Sequence, residues 1–384
     1  METGYSFSAR VESLAAGGAG VLRLGGMAFF MDFCAPGDLV QGRVTETRGR
    51  WGRAELVKVL EASPRRTAPV CALYGRCGGC GLQHIVYEAQ LEEKKNMLRD
   101  ALSRIGGLAW AGDLSLVRSA PLEYRNRMKF HAVLKGNAAP VPGFKERRSG
   151  AVVALEDCPV ADKGIRKALR DKSLKVPAGK KHFAVYSRRD AFLAEGQQSR
   201  GAVTIAGKRL ALDAACFFQA NDCLLELLIQ DILEAAGKAD TKLPAADVFA
   251  GVGTFAAFLG DMFARVDLVE ENKEALALAS ENAGKGARFF PLADYTWASR
   301  CREQYGFMVL DPPRAGLSGA LSEFLSERGP PLLAYVSCNP ATLARDAKLL
   351  AKTYSLSSLK AYDFYPQTAH IECLALFTRR KEAP

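Results

Sequence analysis

Three groups of residues in this sequence are spaced for chemistry. The first centres on Cys338 in the run LLAYVSCNPATLARD. A β-prone apolar stretch ends at Cys338; Asn339 then suits a helix cap and Pro340 a first helical position. A thiol at a helix start has its thiolate stabilised by unpaired N–H groups and the helix dipole. Such placement matters because an ordinary cysteine, with a pKa of about 8.5, is only a few per cent thiolate near neutrality. The second group is a glycine loop, DVFAGVGTF at 247–255, between an apolar strand and a helix. Gly251 and Gly253 permit a tight turn and close approach of a ligand to the backbone. Seventeen residues beyond Gly253, Glu270 closes RVDLVE, placed to hold ribose hydroxyls. Ala256 stands where a dinucleotide loop often has a third glycine, so the loop alone suits NAD and S-adenosylmethionine equally. Asp311, in FMVLDPPRAGL, ends another strand, and Pro312 and Pro313 stiffen the loop after it. The third group is Cys71, Cys77 and Cys80 in CALYGRCGGCGLQH, with Cys158 of LEDCPVAD as a fourth thiol. Four thiolates suit either tetrahedral zinc or a 4Fe–4S cluster, and spacing leaves both open. Cys34, Cys216, Cys223, Cys301 and Cys373 share no spacing and read as buried or incidental.

Elements must carry these groups. Phe7 to Val11, Gly20 to Leu24, Met27 to Phe33, Leu39 to Glu46 and Arg53 to Leu60 are short β-prone segments with Gly or Pro between them. Five such strands predict a small closed barrel of the oligonucleotide-binding kind. Ser63 to Arg66 reads as a linker, and Tyr87 to Ile105 as one helix with Leu91, Leu98, Leu102 and Ile105 on its apolar face. Residues 118–215 read as strands with Gly and Pro breaks. From Asn221, an N-cap for an apolar helix ending at Gly237, the pattern changes. Strand signals at Ala246 to Phe249, Val266 to Glu270, Arg288 to Leu292, Phe307 to Asp311 and Leu332 to Cys338 alternate with helices. That alternation predicts a doubly wound, Rossmann-like α/β sheet. Three domains are expected: a β-barrel at 1–62, a cysteine loop and central α+β region at 63–215, and the α/β domain at 216–384.

The chain has 384 residues, 48% hydrophobic and 24% charged, a composition that argues against disorder and fibre folds. No apolar run reaches 18 residues and the N-terminus lacks a signal-peptide layout, so a cytoplasmic protein with reduced thiols and no membrane partner is expected. No obligate protein partner is evident. The net charge of +10 is unevenly spread. Residues 118–189 hold 18 Lys or Arg and 6 Asp or Glu, a net of +12, which leaves the rest of the chain at −2. The excess gathers around Arg125, Arg127, Lys129, Lys145, Arg147 and Arg148, then Lys163 to Lys181. Such a surface gives phosphate affinity without sequence choice. Phe130, Phe144 and Phe183 lie among these charges; they could stack on unpaired bases, but core packing is expected for at least two of them.

FFQAN (217–221), DVFAGVGTF, DPPRAGL, VSCNPATLARD and HIECLALF (370–377), in this order, resemble the S-adenosylmethionine-dependent RNA 5-methyluridine methyltransferases, which modify tRNA or 23S rRNA. The N-terminal segment AGGAGVLRLGGMAFFMDFCAPGDLV looks like a TRAM domain, and YRNRMKFHAV with GFKERRSGAVV is similar to the family's central domain. The resemblance covers essentially the whole chain. It implies Cys338 as the nucleophile and Glu372 of His370-Ile371-Glu372 as the general base. It implies that Gln219, Phe249, Gly251, Glu270 and Asp311 hold S-adenosylmethionine, with Asp294 near the adenine. It also matches Cys71, Cys77, Cys80 and Cys158 to 4Fe–4S ligands found in part of the family, with zinc as the alternative. A TRAM domain combined with a cluster favours 23S rRNA as the partner, with the tRNA T-loop uridine as the alternative.

Three other readings fit less well. A radical S-adenosylmethionine enzyme spaces its cysteines C-x3-C-x2-C, whereas the first gap here is five. An exocyclic-amine methyltransferase uses a Pro-Pro-Tyr-like motif, but here the third place holds Arg314. A non-catalytic RNA-binding protein or chaperone has no use for SCNP together with HIE.

Overall fold

The computed structural model describes residues 1–134, 139–189 and 191–381. The N-terminal sheet has six strands where five were expected, in the order Ser6–Arg10, Leu39–Arg48, Trp51–Glu61, Met27–Met31, Gly20–Leu24, Ser13–Leu14. The two edge strands are separated by only two residues of chain, so the sheet must curl until its edges meet. Register shifts between the two long strands add the local coil this needs. Phe7, Leu22, Phe29, Met31, Val40 and Val44 fill the inside. Gly52 makes room for Phe29: a Cβ there would stand 2.3 Å from its ring. The linker after the sheet is pinned, because buried Asp38 accepts from Ser63 N at 2.9 Å and pairs with Arg66.

The helix expected to reach Ile105 ends at Ala101 and passes into a π-helical turn, Leu102–Gly106, closed by Gly107 at φ 64°. A π-turn inserts an extra residue, which shifts the face downstream. Ile105 is therefore exposed, while Leu102 and Gly106 pack inward. Upstream, the buried face includes Gln90, Glu93 and Lys94, which apolar periodicity does not signal.

The central region forms a five-stranded antiparallel sheet in the order Val152–Ala154, Val141–Lys145, Arg127–Val133, His182–Arg188, Ala191–Ala194. A hairpin, Arg200–Ile205 with Lys208–Asp213, comes next. Within the stretch expected to hold only strands lies a helix, Lys163–Arg170, capped by Asp162, which accepts from Gly164 N at 2.8 Å. Its basic residues masked it from strand-and-break reading.

The C-terminal sheet has eight strands. Numbered along the chain from Ala245–Val248, then Val266–Val269, Ala287–Phe290, Phe307–Leu310, Leu332–Ser337, Tyr354–Tyr362 and Glu372–Arg379, seven of them run 3-2-1-4-5-7-6. The first five are parallel and Glu372–Arg379 is inserted antiparallel. All five strands anticipated here are present, each ending one or two residues before its expected limit. The sheet does not keep to the expected division at 215: its last strand is Ser115–Val117, parallel to Tyr354–Tyr362. Strand order reverses between the first and fourth strands, where open α/β sheets build their crevice.

Candidate active site

At the carboxyl ends of the parallel strands lies a cavity of about 830 Å³. Gln219, Phe249, Gly251, Glu270, Asp294, Asp311, Cys338 and Glu372 all line it. These residues are far apart in sequence, and the strand ends bring them together.

One side is the glycine loop. Phe249 takes φ 66°, Gly251 φ 54° and Gly253 φ 77°, so the chain turns sharply off its strand. Phe249 N and Ala250 N donate to Val269 O, which ties the loop to the next strand. Gly253 packs tightly: a Cβ there would stand 2.9 Å from that of Ala279. A Cβ at Gly251 would meet nothing within 4 Å, and the residue opens on the cavity. Glu270 accepts from Gly251 N at 2.9 Å and Asn272 N at 2.8 Å. A carboxylate held by two backbone donors has lone pairs left for ligand hydroxyls. Gln219 reaches over from the segment before helix Asp222–Ala236 and donates to Asp311 Oδ2 at 3.3 Å. Asp294 begins helix Asp294–Arg300 and accepts from Ser318 N at 3.3 Å.

The other side pairs a thiol with a carboxyl. Ser337 and Cys373 are ladder partners on adjacent antiparallel strands. Cys338 and Glu372 stand one residue beyond that last pair, both in the cavity lining, with Glu372 close enough for its charge to act on the thiol. Helix Pro340–Leu350 starts beyond Cys338, with Asn339 accepting from Ala341 N at 3.1 Å as its cap. The same helix fixes the neighbouring loop. Thr342 Oγ1 donates to Arg314 O at 2.9 Å, and buried Asp346 accepts from Leu317 N at 3.0 Å and Tyr335 Oη at 2.7 Å. The ATLARD residues thus hold DPPRAGL beside the thiol.

Electrostatics here run against the expectation of a stabilised thiolate. Burial, then Glu372 and Asp311, pushes the Cys338 thiol up to about 11, while Arg314 opposes them. The helix start does not offset desolvation in the ligand-free protein. Burial, helped by Asp311, raises Glu372 well above the usual carboxylate range. Asp311 itself is pushed up to about 7 by burial, against the Gln219 hydrogen bond. Three acidic groups therefore crowd one dry site, and only part of their negative charge can exist at neutral pH.

Arg125, Phe217, Tyr295, Arg314, Tyr365, Thr368 and His370 also line the cavity. The sequence marked Arg125 as part of the basic surface and gave the others no site role beyond the motifs containing some of them. A half-exposed aromatic such as Phe217 beside Gln219 becomes informative only once its position is known.

The four cysteines Cys71, Cys77, Cys80 and Cys158 converge on one small cavity, with Leu73, Met128 and Val160. Among the described residues no three His, Cys, Asp or Glu side chains are grouped as around a single metal ion. Four thiols lining one shared cavity are a donor set that could hold a 4Fe–4S cluster or zinc.

In the basic region the structure bears out one expectation and narrows another. Phe130 and Phe183 are fully buried in the central core, where Phe130 stacks on both Phe144 and Phe183, so stacking on bases is not their role. Arg166 and Arg170 pair with Asp157, and Arg166 also with Glu123, which consumes part of the charge at 163–181 within the fold. Arg125, Lys129, Lys145, Arg147 and Arg148 do share a second groove, of about 640 Å³, with Arg53 of the N-terminal sheet. Arg148 and Arg147 there are paired with Asp32.

A parallel sheet of this order, with a glycine turn, an acid ending the second strand and a cavity beyond, is the fold of class I methyltransferases. Over the whole chain, the structure resembles the tRNA (uracil-54, C5)-methyltransferase of Pyrococcus abyssi in complex with S-adenosyl-L-homocysteine, with TM-score 0.74 and 23% identity over 97% of this chain and 99% of that one. Residues 292–380 match the family model for tRNA (Uracil-5-)-methyltransferase. A Treponema denticola protein described as an uncharacterized RNA methyltransferase is 31% identical over 92% of this chain and 94% of its own length. The 23S rRNA (uracil(1939)-C(5))-methyltransferase RlmD of Pseudomonas putida is 32% identical over 96% of this chain and 92% of its own. This chain belongs to the S-adenosylmethionine-dependent RNA uracil-5-methyltransferase family.

Proposed function

We propose that this protein methylates carbon 5 of a uridine in 23S rRNA, with Cys338 as nucleophile and Glu372 as general base. The observation that carries this reading is the placement of Cys338 and Glu372 at adjacent strand ends, in the same cavity as the glycine loop. Carbon 5 of uracil is too weak a nucleophile to take a methyl group unaided. Cys338, as thiolate, forms a bond to carbon 6, and the ring's π electrons shift to give an enolate with a nucleophilic carbon 5. S-adenosylmethionine supplies a methyl group on positively charged sulfur. Glu372 then removes the carbon-5 proton, the carbon 5–carbon 6 double bond reforms and the Cys338 sulfur leaves. Gln219, Phe249, Gly251, Glu270, Asp294 and Asp311 hold the cofactor; Gly251, open and facing the cavity, leaves it room. RNA bearing 5-fluorouridine tests the chemistry, because its carbon 5 has no proton for Glu372 to take. A covalent adduct should accumulate with wild type and S-adenosylmethionine, and vanish in Cys338→Ala. No adduct with any rRNA or tRNA fragment would sink the mechanism.

The 23S rRNA substrate is supported by relatives that carry that activity, such as the Pseudomonas putida enzyme, aligned over nearly the full chain. Mapping 5-methyluridine in total RNA from a deletion strain decides it: loss from tRNA rather than rRNA would overturn the substrate. The basic groove beside the cavity is the RNA-holding surface in this reading. Cys71, Cys77, Cys80 and Cys158 would hold a 4Fe–4S cluster, supported by their shared cavity and all-thiol donor set. Bound there, the cluster would crosslink the cysteine loop to the central region. Anaerobic metal analysis should find iron and sulfide; zinc in their place refutes the assignment. No helix among the described residues is long and apolar enough to cross a membrane. We place the protein in the cytoplasm, with RNA as its partner.

A further inference from the structure

The helix Tyr87–Ala101 lies outside the methyltransferase motifs, yet it buries three polar side chains completely or nearly so: Gln90, Glu93 and Lys94. Lysine is almost never fully buried unless paired, and apolar residues would fill a merely structural helix face at lower desolvation cost. Two of the three reach one segment, 363–371, which joins strand Tyr354–Tyr362 to Glu372. Lys94 pairs with buried Asp363 and donates to Tyr365 O at 3.1 Å. Gln90 Nε2 donates to Gln367 Oε1 at 3.0 Å, and Gln90 Oε1 accepts from Gln367 N at 3.0 Å.

Gln367 is the hub of this arrangement. It sits at φ 66°, a left-handed conformation that most residues avoid and that surrounding contacts must hold. Its carbonyl accepts from Gly81 N at 3.0 Å and Leu82 N at 2.9 Å, immediately after Cys80. Its amide Nε2 donates to Pro121 O at 3.3 Å. Tyr124 Oη adds a bond to Pro366 O at 3.0 Å. Within the segment so held, Tyr365, Thr368 and His370 line the cavity, and Glu372 comes directly after it.

We propose that Gln90 and Lys94 are positioning residues for methylation: they clamp 363–371 and thereby set Glu372 and its neighbours against Cys338. The cysteine loop is tied into the same clamp through Gly81 and Leu82. This inference rests on the proposed function, since it is Glu372 and Cys338 that the clamp serves.

The test uses the full-length protein with two variants, Gln90→Leu and the double Lys94→Met/Asp363→Asn, which removes the buried pair without stranding one charge. Single-turnover methylation should fall tenfold or more. The affinity for S-adenosyl-L-homocysteine should stay within twofold, because Phe249, Glu270 and Asp311 lie on other elements. Amide hydrogen exchange should quicken in 363–371 and remain slow in strand Ala245–Val248. Unchanged methylation, or cofactor affinity lost in step with it, overturns the positioning role. If wild type forms no adduct with 5-fluorouridine RNA, the proposed function fails; exchange then still decides the clamp, and unaltered exchange at 363–371 rejects it.

Discussion

Cys338 should be a poor nucleophile until the cofactor's charge arrives. With the thiol pushed up to about 11, roughly one molecule in 3,000 carries the thiolate at pH 7.5, against about one in ten for an ordinary cysteine. A cation within about 4–6 Å lowers the pKa of an acidic group by about one to three, so a bound sulfonium should raise the thiolate population by about 10- to 1,000-fold. S-adenosylmethionine and S-adenosyl-L-homocysteine occlude the cavity almost equally and differ in that charge. The assay is alkylation of Cys338 by iodoacetamide, followed by peptide mass spectrometry from pH 6 to 10. In the ligand-free protein the rate should climb tenfold with each pH step and show no plateau by pH 10. It should be at least tenfold faster at pH 7.5 with S-adenosylmethionine than with S-adenosyl-L-homocysteine. A ligand-free plateau near pH 8.5, or equal rates with the two ligands, would refute the argument from burial and crowded carboxyls.

Three further outcomes are expected. Asp247 is fully buried, Asp311 is part-buried at the cavity wall, and each is pushed up to about 7, so the folded state binds their protons more tightly than the unfolded chain does. Ligand-free stability should be full below about pH 4 as far as these groups are concerned and fall as pH rises through 7, by at most on the order of 4 kcal/mol each; urea midpoints between pH 5 and 8.5 should decline, and less steeply in Asp311→Asn. Gly251→Ala should weaken cofactor binding at a folding cost of about 1–2 kcal/mol for the left-handed conformation, whereas Gly253→Ala, which also collides with Ala279, should cost more stability, as thermal melts and calorimetry will tell. Lys129→Ala and Lys145→Ala in the second groove should each lower the salt dependence of RNA binding by about one counterion, and a slope unchanged in both would remove that groove from the RNA path.

Much of the catalytic sheet was legible because the residues that end its strands are chemically conspicuous. Gly251, Asp311 and Cys338 announce strand ends by type and context, and the sheet then gathers them without further instruction. Glu372 was different. Its identity came from resemblance, and its role depends on a ladder register, Ser337 with Cys373, that no local pattern encodes. Gln90 and Lys94 were illegible for a related reason: a polar residue on a helix reads as solvent-facing unless its distant partner, here Gln367 or Asp363, is known. Ile105 turned outward because a π-turn breaks the 3.6-residue period on which the expected face was drawn. Phe130 and Phe183 were ambiguous since an aromatic among cations serves a core or a base alike, and only burial decides.

The short strand Ser115–Val117, at the end of the C-terminal sheet, has a bearing on how the protein reaches its folded state. Strand Tyr354–Tyr362 would otherwise be a nine-residue edge, an open template for pairing with another chain. The segment that covers it leaves the ribosome early and waits for a partner about 240 residues downstream, the kind of distant pairing that folds slowly. A truncated chain lacking its first half would still carry the glycine loop, Asp311, Cys338 and Glu372 and would expose that edge. The fold thus joins its two halves through one shared sheet, and a fragment holding the catalytic strands alone is expected to be more prone to edge pairing than the whole chain.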